Sequence, residues 1–237
     1  MTSDQATYTL RVIARIHTAF KSKFGIPRQS GLVPGLSAEI VFEREYRTPD
    51  AVRGLEGYSH LWLIWQFSKA VREGGAWSPT VRPPRLGGNT RMGVFATRSP
   101  YRPNAIGLSS VELERITFEE VHGPVLHIRG ADLLDGTPIF DIKPYLPFTD
   151  SHPNAVGGFA DAKKDYALTV EFSEPLLAQI APADREVITA ILSEDPRPSY
   201  QDDPQRIYGM TYGAYEIRFT VCDGVLTVCE VLSAPPQ

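Results

Sequence analysis

Through the first 150 residues, apolar and polar positions alternate in short runs. Thr9–Ile16 (TLRVIARI) and Ala38–Phe42 (AEIVF) have period two and are rich in β-branched residues, which predicts strands. Val125–Arg129 and Gly93–Thr97 read the same way. His60–Phe67 (HLWLIWQF) is a continuous apolar run and predicts a strand buried on both faces. Ile106–Ile116 predicts a further strand, entered at Gly107, and Pro49–Glu56 has room for one helical turn. Gly/Pro clusters separate these runs, as in a barrel or sandwich of short strands.

Past Pro147 the pattern changes. Phe148–Asp165 has little periodicity and reads as an exposed connection. In Ser173–Leu192, the residues Leu176, Leu177, Ile180, Val187, Ile188 and Ile191 fall at helical spacings, with Pro182 opening a second helix. Ile217–Val231 (IRFTVCDGVLTVCEV) returns to alternation around Asp223-Gly224, a hairpin signal. With the turn there, Cys222 faces Val225 and Cys229 faces Arg218. The thiols then lie on the order of 13 Å apart along the ladder, too far for a disulfide. They are expected as small buried apolar residues. The predicted architecture is mainly β, an N-terminal barrel over residues 1–154 and a small α+β C-terminal domain over 155–237.

Composition narrows the class. A hydrophobic content of 42% and a mean hydropathy of -0.18 describe an ordinary globular chain. No apolar run reaches the roughly 18 residues of a membrane span, and the first residues lack a leader pattern. The expected location is cytoplasmic, with no membrane partner. The formal charge of -4 is unevenly spread. Residues 1–110 hold 15 Lys/Arg against 7 Asp/Glu, a net of +8, and the rest carry -12. Such a chain can present one basic face to an RNA, or its halves can attract one another.

The missing motifs exclude other chemistry. No Gly-x-Gly-x-x-Gly follows a strand and no Walker lysine occurs, so neither familiar nucleotide fold is expected. His17, His60, His122, His127 and His152 are scattered and predict no metal site. There is no Gly-x-Ser-x-Gly elbow.

The densest chemistry lies between Gly74 and Val111, which contains no Asp or Glu and five arginines: Arg82, Arg85, Arg91, Arg98 and Arg102. Uncompensated guanidinium groups seek phosphate, carboxylate or aromatic faces. Several segments recur in order around this stretch: Lys23–Gln29 (KFGIPRQ), Ser59–Leu63 (SHLWL), Gly93–Ser99 (GVFATRS) and Arg102–Leu108 (RPNAIGL). Asp132–Pro138 (DLLDGTP), Asp141–Tyr145 (DIKPY) and Asp195–Tyr200 (DPRPSY) follow. In this order they resemble the TsaA-like β-barrel methyltransferases of the TrmO type, over roughly Tyr8 to Phe219.

That resemblance implies S-adenosylmethionine as cofactor and tRNA as partner. It implies methylation of N6 of threonylcarbamoyladenosine at position 37, beside the anticodon, by a homodimer with its cofactor near the subunit interface and no metal. It places Pro27, Arg28, Gln29, Ser59, His60, Leu61, Arg98, Leu108, Asp132, Leu133, Leu134 and Asp135 at the cofactor. Asp195, Arg197 and Tyr200 are placed at the RNA, with Tyr208 and Arg218 as weaker candidates for the same surface. It assigns no catalytic base. The chain departs from the family pattern at Ser68, Ala105 and Glu216, the last in the RNA-facing region. Two other classes remain: a barrel methyltransferase with a different substrate, and a non-enzymatic RNA-binding or regulatory module.

Overall fold

The structure, a computed structural model, describes residues 6–69, 77–83, 86, 90–163, 166–197 and 203–234. In chain order the barrel region contains β1 (Ala14–His17), β2 (Ser37–Phe42), β3 (His60–Gln66), β4 (Thr80–Val81) and β5 (Met92–Gly93). It continues with β6 (Ile106–Glu119), β7 (Gly123–Arg129) and β8 (Pro138–Pro144). Six of these close a barrel in the order β1-β2-β7-β6-β3-β8. Every neighbouring pair is antiparallel, so closure leaves no unpaired edge.

Period two decides what fills the barrel. In β3, Leu61, Leu63 and Trp65 are buried, while His60, Trp62, Ile64 and Gln66 face outward and are partly exposed or exposed. The expectation of a strand buried on both faces is therefore corrected: nothing covers the outer face completely, and Trp62 reaches across it to donate to Asp150 Oδ2 at 2.9 Å. Gly107 faces inward opposite Trp65. A Cβ there would lie 2.3 Å from the indole Cε2, so the strand entry tolerates only glycine without moving the tryptophan. The Thr9–Ile16 strand begins only at Ala14, because the β2 ladder ends at the Ala14–Phe42 pair. Gly93–Thr97 is not a strand; β5 stops at Gly93 and Val94–Ala96 is a single 3-10 turn.

A second core lies beyond the barrel. It comprises β9 (Thr169–Glu171), α2 (Glu174–Leu177), α3 (Pro182–Ser193), β10 (Tyr208–Tyr212), β11 (Tyr215–Cys222) and β12 (Val225–Ser233). The sheet runs β10-β11-β12-β9, with β9 parallel to β12. Helix α3 packs Val187, Ile188, Ile191 and Leu192 against it, each fully buried aliphatic contributing about 2 kcal/mol. The connection between the cores includes α1 (Pro147–Asp150) and a 3-10 segment, Gly158–Lys163.

The loop from β1 to β2 also joins this second core, through Phe20, Val33 and Leu36. Gly25, at φ +92, lies so close to Met210 that a Cβ would approach its Cγ to 2.6 Å. A loop of the barrel sequence is thereby pinned to the C-terminal region.

The hairpin turns at Asp223-Gly224 and pairs Cys222 with Val225, as expected. The second pairing is corrected. A bulge between Arg218 and Phe219 sets Arg218 opposite Glu230 and Phe219 opposite Val228, leaving Cys229 out of register. Both cysteines are exposed rather than buried, because the inward positions of the hairpin are taken by Phe219, Val221, Leu226 and Val228.

Candidate functional site

Antiparallel closure sorts the loops by end. β1, β7 and β3 finish at the end where β2, β8 and β6 begin. Loops 18–36, 67–105 and 130–137 therefore converge there. These loops carry Pro27–Gln29, Arg98 and Asp132–Asp135, and Leu108 lies in the first residues of β6 at the same end. Segments distant in sequence form one region.

Two of these side chains meet directly, and a third, Asp132, feels the charge of Arg98. An Arg98 Nη donates to Gln29 Oε1. The Asp132 carboxylate accepts from Ser109 Oγ at 2.6 Å, and that hydroxyl in turn accepts from Trp65 Nε1 at 3.0 Å. Burial pushes the Asp132 carboxyl above its usual range; Ser109, its backbone contacts and the nearby Arg98 only partly offset this. The site therefore combines an exposed guanidinium, an amide and a half-buried carboxyl whose charge is only partly compensated. Ser109 and Trp65 escaped the motif reading. Their signal is present in β6, where Ser109 is a polar residue at an inward position between Gly107 and Val111.

Asp135, three residues on, is in the opposite state. It accepts from the Thr18 backbone N–H at 3.0 Å and pairs with Lys21 at 2.5 Å, with His17 3.5 Å away. Burial raises its pKa, but Lys21 and Thr18 outweigh burial and hold the carboxyl below its usual range. Leu133 is fully buried in the barrel core, and Leu134 contributes its carbonyl to the Thr137 hydroxyl at 2.6 Å. The Asp132–Asp135 segment thus turns one carboxyl toward Arg98 and locks the other to the β1–β2 loop.

The Gln29 amide donates to the Arg28 carbonyl oxygen, but the Arg28 guanidinium reaches a different segment from Arg98. Arg28 Nη2 donates to the backbone oxygens of Asp195 (3.2 Å) and Arg197 (3.3 Å). Asp195, at φ +52, receives Arg197 Nε at 2.8 Å and Nη2 at 3.0 Å, and the Tyr166 hydroxyl at 3.0 Å. Both side chains of this ion pair are only 10% exposed. Burial raises the Asp195 pKa, yet Arg197 and Tyr166 hold it below the usual range. Tyr200 lies outside the described residues. Tyr208 is buried beneath Arg206, whose guanidinium is 5.3 Å from the ring. Arg218 pairs with Glu216 and Glu230; Glu216, the residue that departs from the family pattern, is thus an ion-pair partner on this strand.

Ser59, His60 and Leu61 open β3 at the opposite end from the converging loops. Ser59 Oγ is 3.0 Å from His60 Nδ1, His60 tilts toward Tyr145, and Leu61 is buried. Within one chain they do not meet Arg98 or Asp132. The basic half is also partly neutralised locally, by Arg11–Glu45, Arg15–Glu43 and Lys21–Asp135. No group of His, Cys, Asp and Glu suited to a metal ion occurs among the described residues, and none of their helices is long and apolar enough to cross a membrane.

A closed antiparallel barrel with a polar site gathered from three loops, and a smaller α+β region pinned to it, is the architecture that the resemblance to TsaA-like β-barrel methyltransferases implies. Comparison with known proteins is more specific. The model of the tRNA-methyltransferase O N-terminal domain matches residues 15–151, and that of the TrmO C-terminal domain matches residues 165–234. The chain belongs to the TrmO family. It is 40% identical over 226 residues to the tRNA (adenine(37)-N6)-methyltransferase of Escherichia coli K12, covering 92% of this chain and 95% of that protein. A protein of the same description from Eikenella corrodens is 47% identical over 177 residues, covering 74% and 98%. The crystal structure of TrmO from Pseudomonas aeruginosa superposes with a TM-score of 0.78 at 33% identity, covering 98% of this chain and all of that one.

Proposed function

We propose that this protein is an S-adenosylmethionine-dependent tRNA methyltransferase acting on N6 of adenosine 37, with threonylcarbamoyladenosine as the acceptor. Relatives aligned over 92% and 74% of the chain carry the adenine-37 activity in their names. The observation that carries the reading is the Gln29–Arg98–Asp132 cluster. The amino-acid end of S-adenosylmethionine is a zwitterion beside a sulfonium. An exposed guanidinium suits its carboxylate, and a half-buried carboxyl suits its cationic groups. The residues present fit the cofactor.

When bound, the cofactor supplies an electrophilic methyl group on sulfur. Arg98, oriented by Gln29, and Asp132, oriented by Ser109 and Trp65, would hold the donor. The urea-like acceptor nitrogen is a weak nucleophile, so alignment supplies much of the acceleration. The protein need not provide a strong base, since water or the substrate's own carboxylate can accept the N–H proton. The Asp195–Arg197 segment, clasped by Arg28, frames the RNA side of the site. The reading extends to a cytoplasmic homodimer. A two-fold pair of barrels would bring the Ser59–Leu61 end of one copy to the loop end of the other, which the single chain leaves apart. Outward Ile106 and Leu108 supply apolar surface for that contact.

Methyl incorporation into tRNA with and without the threonylcarbamoyl group tests the assignment. The modified tRNA is expected to be methylated strongly in preference. Equal activity on both rejects the acceptor, and none on either rejects the enzyme. Light scattering showing a fully active monomer rejects the dimer.

A further inference from the structure

We propose that Trp77 and Phe95, backed by Arg102, form a stacking platform for an unstacked base of the substrate tRNA, one flanking the methylated adenosine. This rests on the reading of the substrate as tRNA. Phe95 is 71% exposed and Trp77 51% exposed, with ring centroids 6.0 Å apart and planes inclined by 36°. Two large rings left in water beside each other are unusual on a folded surface, where burial is the favourable state.

The frame beneath them is rigid. Phe95 sits in the 3-10 turn Val94–Ala96, whose Val94 is fully buried. The Val94 N–H donates to Pro79 O at 2.9 Å, and β4 and β5 pair through Thr80–Gly93 and Val81–Met92. Trp77 and Phe95 are thereby held on adjoining arms of one ribbon. Arg102 places its guanidinium 6.0 Å from the Phe95 ring and donates to Thr97 O at 2.9 Å, fixing the loop that leads to Arg98.

Charge selects the occupant. The whole of 74–111 lacks Asp and Glu, and Arg82, Arg91 and Arg98 are exposed beside the rings in sequence. A second copy docking through this patch about a two-fold axis would set arginines against arginines. A nucleic acid offers the complement: a π-face for each ring and phosphates for the guanidinium groups. Aromatic stacking of this kind is tolerant of base identity and adds affinity rather than sequence reading. The location agrees, because this loop leaves the barrel at the end where Arg98 meets Gln29 and where Asp132 lies.

The test uses Trp77→Ala, Phe95→Ala and Phe95→Tyr in the full chain. Binding of a labelled anticodon stem-loop is followed by fluorescence anisotropy, alongside calorimetry with S-adenosylmethionine and light scattering. Each alanine variant should weaken RNA binding about 10-fold and raise KM for tRNA similarly, while Phe95→Tyr retains wild-type values. Cofactor affinity and molecular mass should not change. Unaltered RNA binding in both alanine variants overturns the platform, and so does a fall in mass, which assigns the patch to a second copy. A wild-type protein that methylates no tRNA rejects the proposed function instead; the anisotropy series still decides the platform.

Discussion

The Gln29–Arg98–Asp132 cluster and the Arg28–Asp195–Arg197–Tyr166 clasp are both built around arginine and aspartate and end in opposite electrostatic states. In the clasp Asp195 and Arg197 meet each other, and Arg28 meets two carbonyl oxygens. Arg197 forks onto Asp195, Tyr166 adds a third donor, and the Asp195 carboxyl is held below its usual range against the upward push of burial. In the cluster, burial wins, and the Asp132 carboxyl is pushed up while Arg98 stays exposed. Compensated charges hold two parts of the chain together. Charge left incompletely compensated is available to a ligand. The divide runs between the adjacent residues Arg28 and Gln29, and again between Asp132 and Asp135.

The sharpest test of this contrast is Arg197→Ala. It strands a partly buried carboxylate and should lower the unfolding free energy by about 3 kcal/mol, read as a lower denaturation midpoint. Cofactor affinity measured on the folded fraction should stay near wild type. An undiminished midpoint with lost tRNA methylation would instead make Arg197 a direct RNA contact. Next in size is Asp132→Asn, which should weaken S-adenosylmethionine binding by about 2 kcal/mol, roughly 30-fold, with little loss of stability. Calorimetry showing wild-type affinity would remove Asp132 from the cofactor.

Arg28→Ala should separate the two neighbours. Loss of its bonds to the Asp195 and Arg197 carbonyls should cost about 1 kcal/mol and raise KM for tRNA several-fold. Cofactor affinity should be little changed, whereas Gln29→Ala, which frees Arg98, should weaken the cofactor and spare KM for tRNA. The reverse pattern would place the Arg28 side chain at the cofactor.

The smallest effect is in pH. The depressed Asp195 carboxyl contributes stability that is complete above the unfolded-state pKa and is lost as pH falls through the lower folded-state value. The raised Asp132 carboxyl acts the other way: it costs stability as pH rises through its folded-state value. Cationic cofactor should draw it into the ionised form, so affinity should fall on acidification from a higher pH than an ordinary carboxylate would give. Asp132→Asn should flatten that dependence.

The alternation in Ala38–Phe42, Ile106–Ile116 and Val125–Arg129 was sufficient for strands and for their inward residues, since a pleat with one wet face permits only period two. The helical spacing from Leu176 to Ile191, with Pro182 as the start of a helix, was equally legible, and the ordered motifs identified the family. Partners in space were not. Gly93–Thr97 has the composition of a strand, yet a strand needs a ladder, and beyond Gly93 the chain turns. Cys229 was assigned to Arg218 because a bulge leaves no mark in period. Arg28 and Gln29 look like one polar unit, but the β1–β2 loop that carries them is packed through Phe20, Val33 and Leu36 into the second core, and so one side chain faces the clasp and the other the barrel. Local periodicity reflects each residue's own balance between water and interior, and the sequence by itself determines that. That Asp135 is compensated while Asp132 is left for a ligand depends on Thr18 and Lys21, more than a hundred residues away, and only the closing of the barrel decides it.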